Sequence, residues 1–229
     1  MADLACFKNR AHAGKLLATE LGAKVLDPAH WPDTVVLALP RGGVPVAFAV
    51  AMALGLELDV LLVRKLGMPG QPEYAIGAIG SGGVRVLQPG VPGLMGVTQA
   101  QVDAIAAREL DEIVRRERLY RGERPEPLLA GRSVVLVDDG IATGSTMLAA
   151  VQVARMRGAG RVVVAVPVAP PDTLAALAPQ VDGLVCLAAP LRFRAVSQWY
   201  DSFDQTSDEE VQDLLAMAWR SRADHQIGS

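Results

Sequence analysis

Short, almost unbroken apolar runs punctuate the chain at Val35–Leu39, Val60–Val63, Val134–Val137, Val162–Val168 and Leu184–Leu187. They are rich in Val and Leu and lack the strict alternation of a half-exposed strand. Such runs predict strands buried on both faces, the habit of a parallel sheet sandwiched between helices. Between them, apolar residues recur at helical spacing. Arg10–Leu21 is followed by Gly22, Val44–Leu54 by Gly55 and Ser145–Arg157 by Gly158; glycine is the usual residue just past a helix end. Strands alternating with helices give the expectation of a doubly wound α/β fold.

Two regions depart from that alternation. Gln88–Met95 reads as a Pro/Gly-rich loop, after which Thr98 opens a long amphipathic helix with Gln101 at capping-box spacing. The pattern carries it through Val102, Ile105, Leu110 and Ile113 to about Leu119. Its later part looks basic, but Arg108–Glu126 holds six Arg against six acids, which reads as a solvated face and not a nucleic-acid patch. Further on, Arg192–Ser207 gathers Phe193, Trp199, Tyr200 and Phe203 in a chain with only 4% aromatics. Two readings stay open there. One is a surface that stacks a ligand; the other is a satellite core beneath a helix capped by Ser207 with Glu210 three residues on.

Composition narrows the class. The 229 residues suit one α/β domain spanning 1–229, and with 51% hydrophobic residues the core must come from Ala, Val and Leu. A formal net charge of -3 lacks the basic excess of a nucleic-acid binder. Cys6 and Cys186 are far apart and read as reduced thiols, while His12, His30 and His225 lack metal-ligand spacing. No apolar run reaches membrane-span length, and Lys8 and Arg10 interrupt the N-terminus early. A cytoplasmic protein acting without membrane or nucleic acid is expected.

The candidate chemistry lies in Val134–Thr146, VVLVDDGIATGST. Asp138 and Asp139 emerge at the carboxyl end of a buried strand, where open α/β sheets bind ligands. Two adjacent carboxylates there need cations or hydroxyl donors; a sugar diol supplies donors, and Mg²⁺ carried on the sugar's phosphates supplies charge. Gly140 and Gly144 then let the backbone turn tightly, Thr143, Ser145 and Thr146 add hydroxyls, and the next helix points its positive end at the turn. That combination is a cradle for a phosphate monoester. It is neither a P-loop nor a dinucleotide fingerprint, since GxxxxGK[ST] and GxGxxG are both absent.

This segment resembles the phosphoribosyl-diphosphate (PRPP) signature of type I phosphoribosyltransferases: an apolar strand, two acids and a small-residue loop ending TGxT. The resemblance implies that Asp138 and Asp139 hold the ribose hydroxyls and Mg²⁺, and that the loop through Ala142, Thr143, Gly144, Ser145 and Thr146 holds the 5′-phosphate. Two further segments are similar to the family in order and spacing. In LPRGGVPVA, the resemblance implies that Arg41, Gly42 and Gly43 bind pyrophosphate on a short loop that often carries a strained or cis peptide. In VRKLGMPGQPEYA, it places Arg64 and Lys65 against pyrophosphate, makes Gly67–Pro72 a mobile catalytic loop, and puts Glu73 where adenine-specific relatives hold the base. It covers a core of about residues 35–168. The fold implied is a type I phosphoribosyltransferase-like parallel sheet flanked by helices. A small hood would come from the N-terminal stretch and about 190–206, and an inserted helix lies at about 98–119.

The implied reaction is a Mg²⁺-dependent phosphoribosyl transfer from PRPP to a nucleobase-like acceptor with release of pyrophosphate, carried out by a homodimer. Arg41, Lys65 and Glu73 are its candidate catalytic groups. Ala142 stands where members acting on 6-oxopurines carry an acid, which argues against hypoxanthine or guanine. A PRPP-sensing regulatory protein without turnover is the alternative. A phosphosugar phosphatase using Asp138 as nucleophile would leave the TGST cradle without a purpose.

Overall fold

The structure is a computed structural model that describes residues 7–24, 33–93 and 96–227, excluding the side chains of residues 24, 72, 73 and 224–227. Cys6, His30, the side chains of Glu73 and His225, and the N-terminal stretch before Phe7 lie outside the described residues. In chain order the elements begin α1 (Arg10–Lys24), β1 (Thr34–Ala38), α2 (Gly43–Leu54), β2 (Glu57–Val60), β3 (Val63–Met68), β4 (Gln71–Gly80) and β5 (Arg85–Leu87). They continue α3 (Gln99–Arg121), β6 (Ser133–Val137), α4 (Ser145–Met156), β7 (Arg161–Val168), α5 (Pro171–Leu177), β8 (Gly183–Ala188) and α6 (Asp208–Ile227).

The main sheet has the order β2-β1-β6-β7-β8, and every pairing in it is parallel. Its apolar runs are continuous because both faces are covered. Val36, Ala38, Val135 and Val137 turn to the side of α1, α2, α3 and α6, while Val35, Leu37, Val134 and Leu136 pack with Met147, Ala150 and Val151 of α4. Full burial of each such Val or Leu contributes about 1.5–3 kcal/mol. β1 continues through α2 to β2 on one side, and β6 through α4 to β7 on the other. The neighbours β1 and β6 therefore send their connections opposite ways, and a crevice opens beyond their carboxyl ends. Their last paired residues are Ala38 and Val137, so Leu39 and Asp138 leave the sheet side by side.

Helix ends follow the expected signals in most places. Thr98 and Gln101 form a reciprocal capping box at the start of α3, and Ser207 Oγ accepts the Glu210 N–H at the start of α6. One expected stop fails. α1 runs past Gly22 to Lys24; Gly22 faces α2, where a Cβ would lie in ordinary contact with Leu54 at 3.4 Å.

The largest difference from the sequence reading is a second sheet, antiparallel, of order β3-β4-β5. The run Val60–Val63 is not one strand: it contains the end of β2 and the start of β3. The chain leaves the main sheet between them, with the Leu61 N–H donating to Ala38 O and the Leu62 N–H to Ser81 Oγ. Gly67–Pro72 forms the tip of the β3–β4 hairpin, where Met68 pairs with Gln71. α3 lies against β3, β4 and α6.

A buried ion pair ties α3 to the main sheet. Arg121 Nε donates to Asp59 Oδ1 at 2.7 Å and its Nη2 to Val60 O at 2.6 Å, with both charged side chains 2% exposed. Burial pushes the Asp59 carboxyl above its usual range, and Arg121 opposes the shift. Removing the cation strands that carboxylate, so Arg121→Ala should lose about 3–5 kcal/mol of stability in urea unfolding. The paired apolar change Asp59→Leu with Arg121→Met should lose distinctly less. Equal losses would show that packing, and not charge, makes this contact.

Candidate active site

Asp138 and Asp139 follow β6 directly into the crevice, where both are half-buried. Asp138 Oδ1 accepts the Asp139 N–H at 2.8 Å, and the two carboxyl groups lie close enough to share a proton. Asp139 Oδ2 accepts from Arg10 of α1 through Nε and lies 2.8 Å from its Nη2, with side-chain exposures of 14% and 11%. Arg10 is itself fixed: its Nη1 donates to Asp204 O at 2.6 Å and its guanidinium lies 3.8 Å from the centre of the Phe203 ring. Tyr200 donates its hydroxyl to Asp139 O at 2.6 Å. Burial and then the neighbouring Asp139 carboxylate push Asp138 well above the ordinary Asp range. Asp139 is also raised by burial, with Arg10 the largest opposing influence.

The cradle follows within five residues. Gly144 takes φ +78° as the residue before α4, a conformation side chains rarely adopt, and a Cβ there would come within 2.8 Å of Thr173. No side chain caps this helix, so the N–H groups of its first turn face outward for a ligand. Thr143 and Ser145 share a hydroxyl contact of 3.2 Å, and Thr173 donates to Ala142 O at 2.8 Å, so α5 steadies the loop. Ala142, Thr143, Ser145 and Thr146 are exposed.

Opposite the acids runs the loop between β1 and α2. Its Pro40–Arg41 peptide is cis, as the resemblance implied for this place. Gly42 and Gly43 abut the acidic pair: a Cβ on Gly42 would collide with Asp139 Oδ2, and one on Gly43 would stand 2.7 Å from Val137 O and 3.0 Å from Asp138 Cα. Only glycine lets the two loops close on each other. Arg41 reaches towards Asp208 at the start of α6, with Nη1 3.9 Å from Oδ1. Arg64 of β3 donates to Glu109 of α3 at 2.6 Å. Lys65 is exposed and lines both larger cavities, one of about 330 Å³ beside Thr143–Ser145 and one of about 710 Å³ between the β3–β4 hairpin and α3. Glu73 lies in β4, its side chain outside the described residues.

The aromatic segment resolves in favour of a satellite core, though not under α6. Trp199 and Tyr200 are buried with Phe7, Ala13 and Val168, and Phe203 packs at the margin. Tyr200 and Phe203 thereby brace Asp139 directly and through Arg10. Sequence reasoning missed Arg10, because nothing near it hints at a partner 129 residues away. It also missed Glu109, Arg116 and Tyr120, whose spacing of seven and then four residues puts them on one face of α3. That spacing was the available signal; the balance of six Arg against six acids hides it by suggesting a uniformly solvated face.

Residues 9–184 match the family model for the phosphoribosyl transferase domain. The chain belongs to the phosphoribosyl transferase domain family. It is 50% identical over 218 residues to "Putative phosphoribosyl transferase Rv0571c" of Mycobacterium tuberculosis, an alignment covering 95% of this chain and 48% of the other. The chain thus spans about half the length of the curated relatives it matches. The crystal structure of TT1426 from Thermus thermophilus is similar with a TM-score of 0.83 and 46% identity, covering 93% of this chain and 98% of that one. For a phosphoribosyl transferase domain, the acid pair, the cradle and the cis-peptide loop are the parts that converge here.

The raised Asp138 gives a pH test. A carboxyl that holds its proton more tightly folded than unfolded stabilises the fold fully below the ordinary Asp pKa of about 3.9. That contribution is lost as pH rises through the raised folded value. Asp138→Asn keeps the acceptor for the Asp139 N–H but cannot ionise. It should therefore be more stable than the parent at pH 8 by about 0.5–2 kcal/mol, with the gain shrinking towards pH 4. Calorimetric melting across that range checks it, and a variant that melts lower at pH 8 contradicts the electrostatic reading.

Proposed function

We propose that the chain catalyses Mg²⁺-dependent transfer of the 5-phosphoribosyl group of PRPP to a nucleobase-like acceptor, releasing pyrophosphate. One observation carries this reading: an acidic pair and an uncapped helix start, joined by a single small-residue loop, face a glycine loop packed against the acids across the crevice between β1 and β6. That spacing suits a sugar whose diol meets Asp138 and Asp139 while its 5′-phosphate meets the N–H groups of Ser145 and Thr146. The family match and the 50% identical relatives support it.

In the reaction, the bond from C1 of the ribose to the pyrophosphate oxygen breaks and the electron pair leaves with pyrophosphate. A ring nitrogen of the acceptor forms the new bond to C1, and any proton it carried is lost. The positive charge that develops on the ribose resembles that of glycoside chemistry. Asp138 and Asp139 fix the ring by its hydroxyls. Arg41, Arg64 and Lys65 meet the departing negative charge. Among the described residues no group of three or more His, Cys, Asp or Glu could cage a metal. Two carboxylates fit Mg²⁺ as it is usually bound, through one or two acids together with substrate phosphates and water. Asp138 and Asp139 would hold such an ion, which supplies charge neutralisation for the leaving group.

The second reading, a PRPP-binding regulatory protein, draws on one specific observation: Asp139 is already paired with Arg10, and Arg64 with Glu109. Turnover decides between them. Incubation with PRPP, Mg²⁺ and a panel of nucleobases should release pyrophosphate with at least one base; tight PRPP binding without release from any base selects the regulatory reading. Asp139→Asn should weaken PRPP binding by about 1–3 kcal/mol in titration calorimetry, as for a lost charged hydrogen-bond partner. Lys65→Ala should lower kcat by about 10²-fold or more for every acceptor alike while PRPP affinity changes little. A loss of affinity with kcat intact would place Lys65 in binding alone.

A further inference from the structure

α3 carries a line of charged and polar groups towards the glycine loop. Glu109 holds Arg64 at 2.6 Å, Glu112 holds Arg116 at 2.7 Å, and Tyr120 donates its hydroxyl at 2.6 Å to Asp208 Oδ1, the atom nearest Arg41. Arg116 does not simply face solvent. It lines a small cavity of about 50 Å³ together with Pro40, Arg64 and Thr146, the cavity's other walls being apolar side chains. Pro40 belongs to the cis-peptide loop and Thr146 to the start of α4. At about 30 Å³ per water in the liquid, such a volume holds one or two waters, a niche beside the loop. Arg64 and Arg116 thus line a cavity beside the loop that carries Arg41, and each of the three rests on a carboxylate: Arg41 on Asp208, Arg64 on Glu109 and Arg116 on Glu112.

We propose that Arg116 of α3 completes the leaving-group subsite, contacting the pyrophosphate of PRPP beside Arg41 and Arg64, with Glu109, Glu112 and Asp208 holding the three guanidiniums in position. The inference rests on the transferase reading above and deepens it: α3 becomes part of the binding machinery. A planar guanidinium offers two parallel donors to phosphate oxygens, and a partner carboxylate orders its stem before the ligand arrives. Tyr120 reports the same neighbourhood. Burial first, then its bond to Asp208, pushes its hydroxyl up to about 12, while Arg116 and Arg41 both act to lower it. Arg115 is the internal control. It shares Glu112 with Arg116 but is 60% exposed and lines none of the cavities around the site.

Two probes separate the subsites. Inorganic pyrophosphate with Mg²⁺ reports the glycine loop, and ribose 5-phosphate reports the acid pair and cradle; both are titrated calorimetrically against the full chain. Arg116→Ala and Arg116→Gln, the latter keeping its stem packed, should weaken pyrophosphate by about 10- to 100-fold, as expected for a lost charged hydrogen bond. Ribose 5-phosphate should bind both variants as it binds the parent. Arg115→Ala removes the same charge from the same helix and should move pyrophosphate affinity by less than about 3-fold, because an exposed charge is screened. Arg116→Lys should recover part of the loss. Unchanged pyrophosphate binding in the Arg116 variants, or an equal loss in Arg115→Ala, overturns the inference and leaves the transferase reading intact. Parallel loss of both ligands in both Arg116 variants means a general structural role and also overturns it. A parent chain that binds neither probe sinks the transferase reading itself.

Discussion

The site is organised around the repulsion between two consecutive carboxylates at the end of a buried strand. Like charges this close interact strongly wherever water is partly excluded. The surrounding residues divide the problem between them. Asp138 accepts the next backbone N–H and holds its proton beside its neighbour, and Asp139 is gripped through one oxygen by Arg10. Arg10 is held in turn by Asp204 O and Phe203, so the aromatic cluster at Tyr200 and Phe203 braces the acids. The glycine loop can close over the pair only because Gly42 and Gly43 have no side chains to strike it.

The cradle, a few residues on from the pair, presents backbone N–H groups. Acceptors for a diol and donors for an anion therefore lie within one loop, a polarity that suits a phosphorylated sugar. The second layer of organisation is cationic. Around the loop between β1 and α2 each arginine rests on a carboxylate from α3 or α6. A guanidinium held this way loses less rotamer freedom when an anion arrives than a free one would. α3 is long enough to reach both ends of this field because its capping box starts it at Thr98 and its buried Arg121 anchors its end to Asp59.

Not all parts of the molecule were equally readable from the chain. The parallel sheet was, because burial on both faces leaves no polar positions in Val134–Val137 or Val162–Val168. The antiparallel sheet was not. β3 and β4 are rich in Gly and broken by a bulge near Gly67, so they carry little alternation, and the apolar run Val60–Val63 hid a boundary between two sheets. Gly22 looked like a helix stop but lies inside α1, which packs along α2.

What the sequence determined by itself is whatever depends on near neighbours: the buried strand, the acid pair that must follow it, the glycine that turns the chain and the helix start behind it all fall within Val134–Thr146. Backbone geometry and local hydrogen bonding link such residues, and both are encoded by residue type and order. The tertiary structure alone decided which charge meets which. Arg10 finds Asp139 across 129 positions, Tyr120 finds Asp208 across 88, Arg121 finds Asp59 across 62 and Arg64 finds Glu109 across 45. A charge does not specify its partner, since any opposite charge within reach will serve; only the packing of α1, α3 and α6 on the sheet brings each pair within hydrogen-bonding distance.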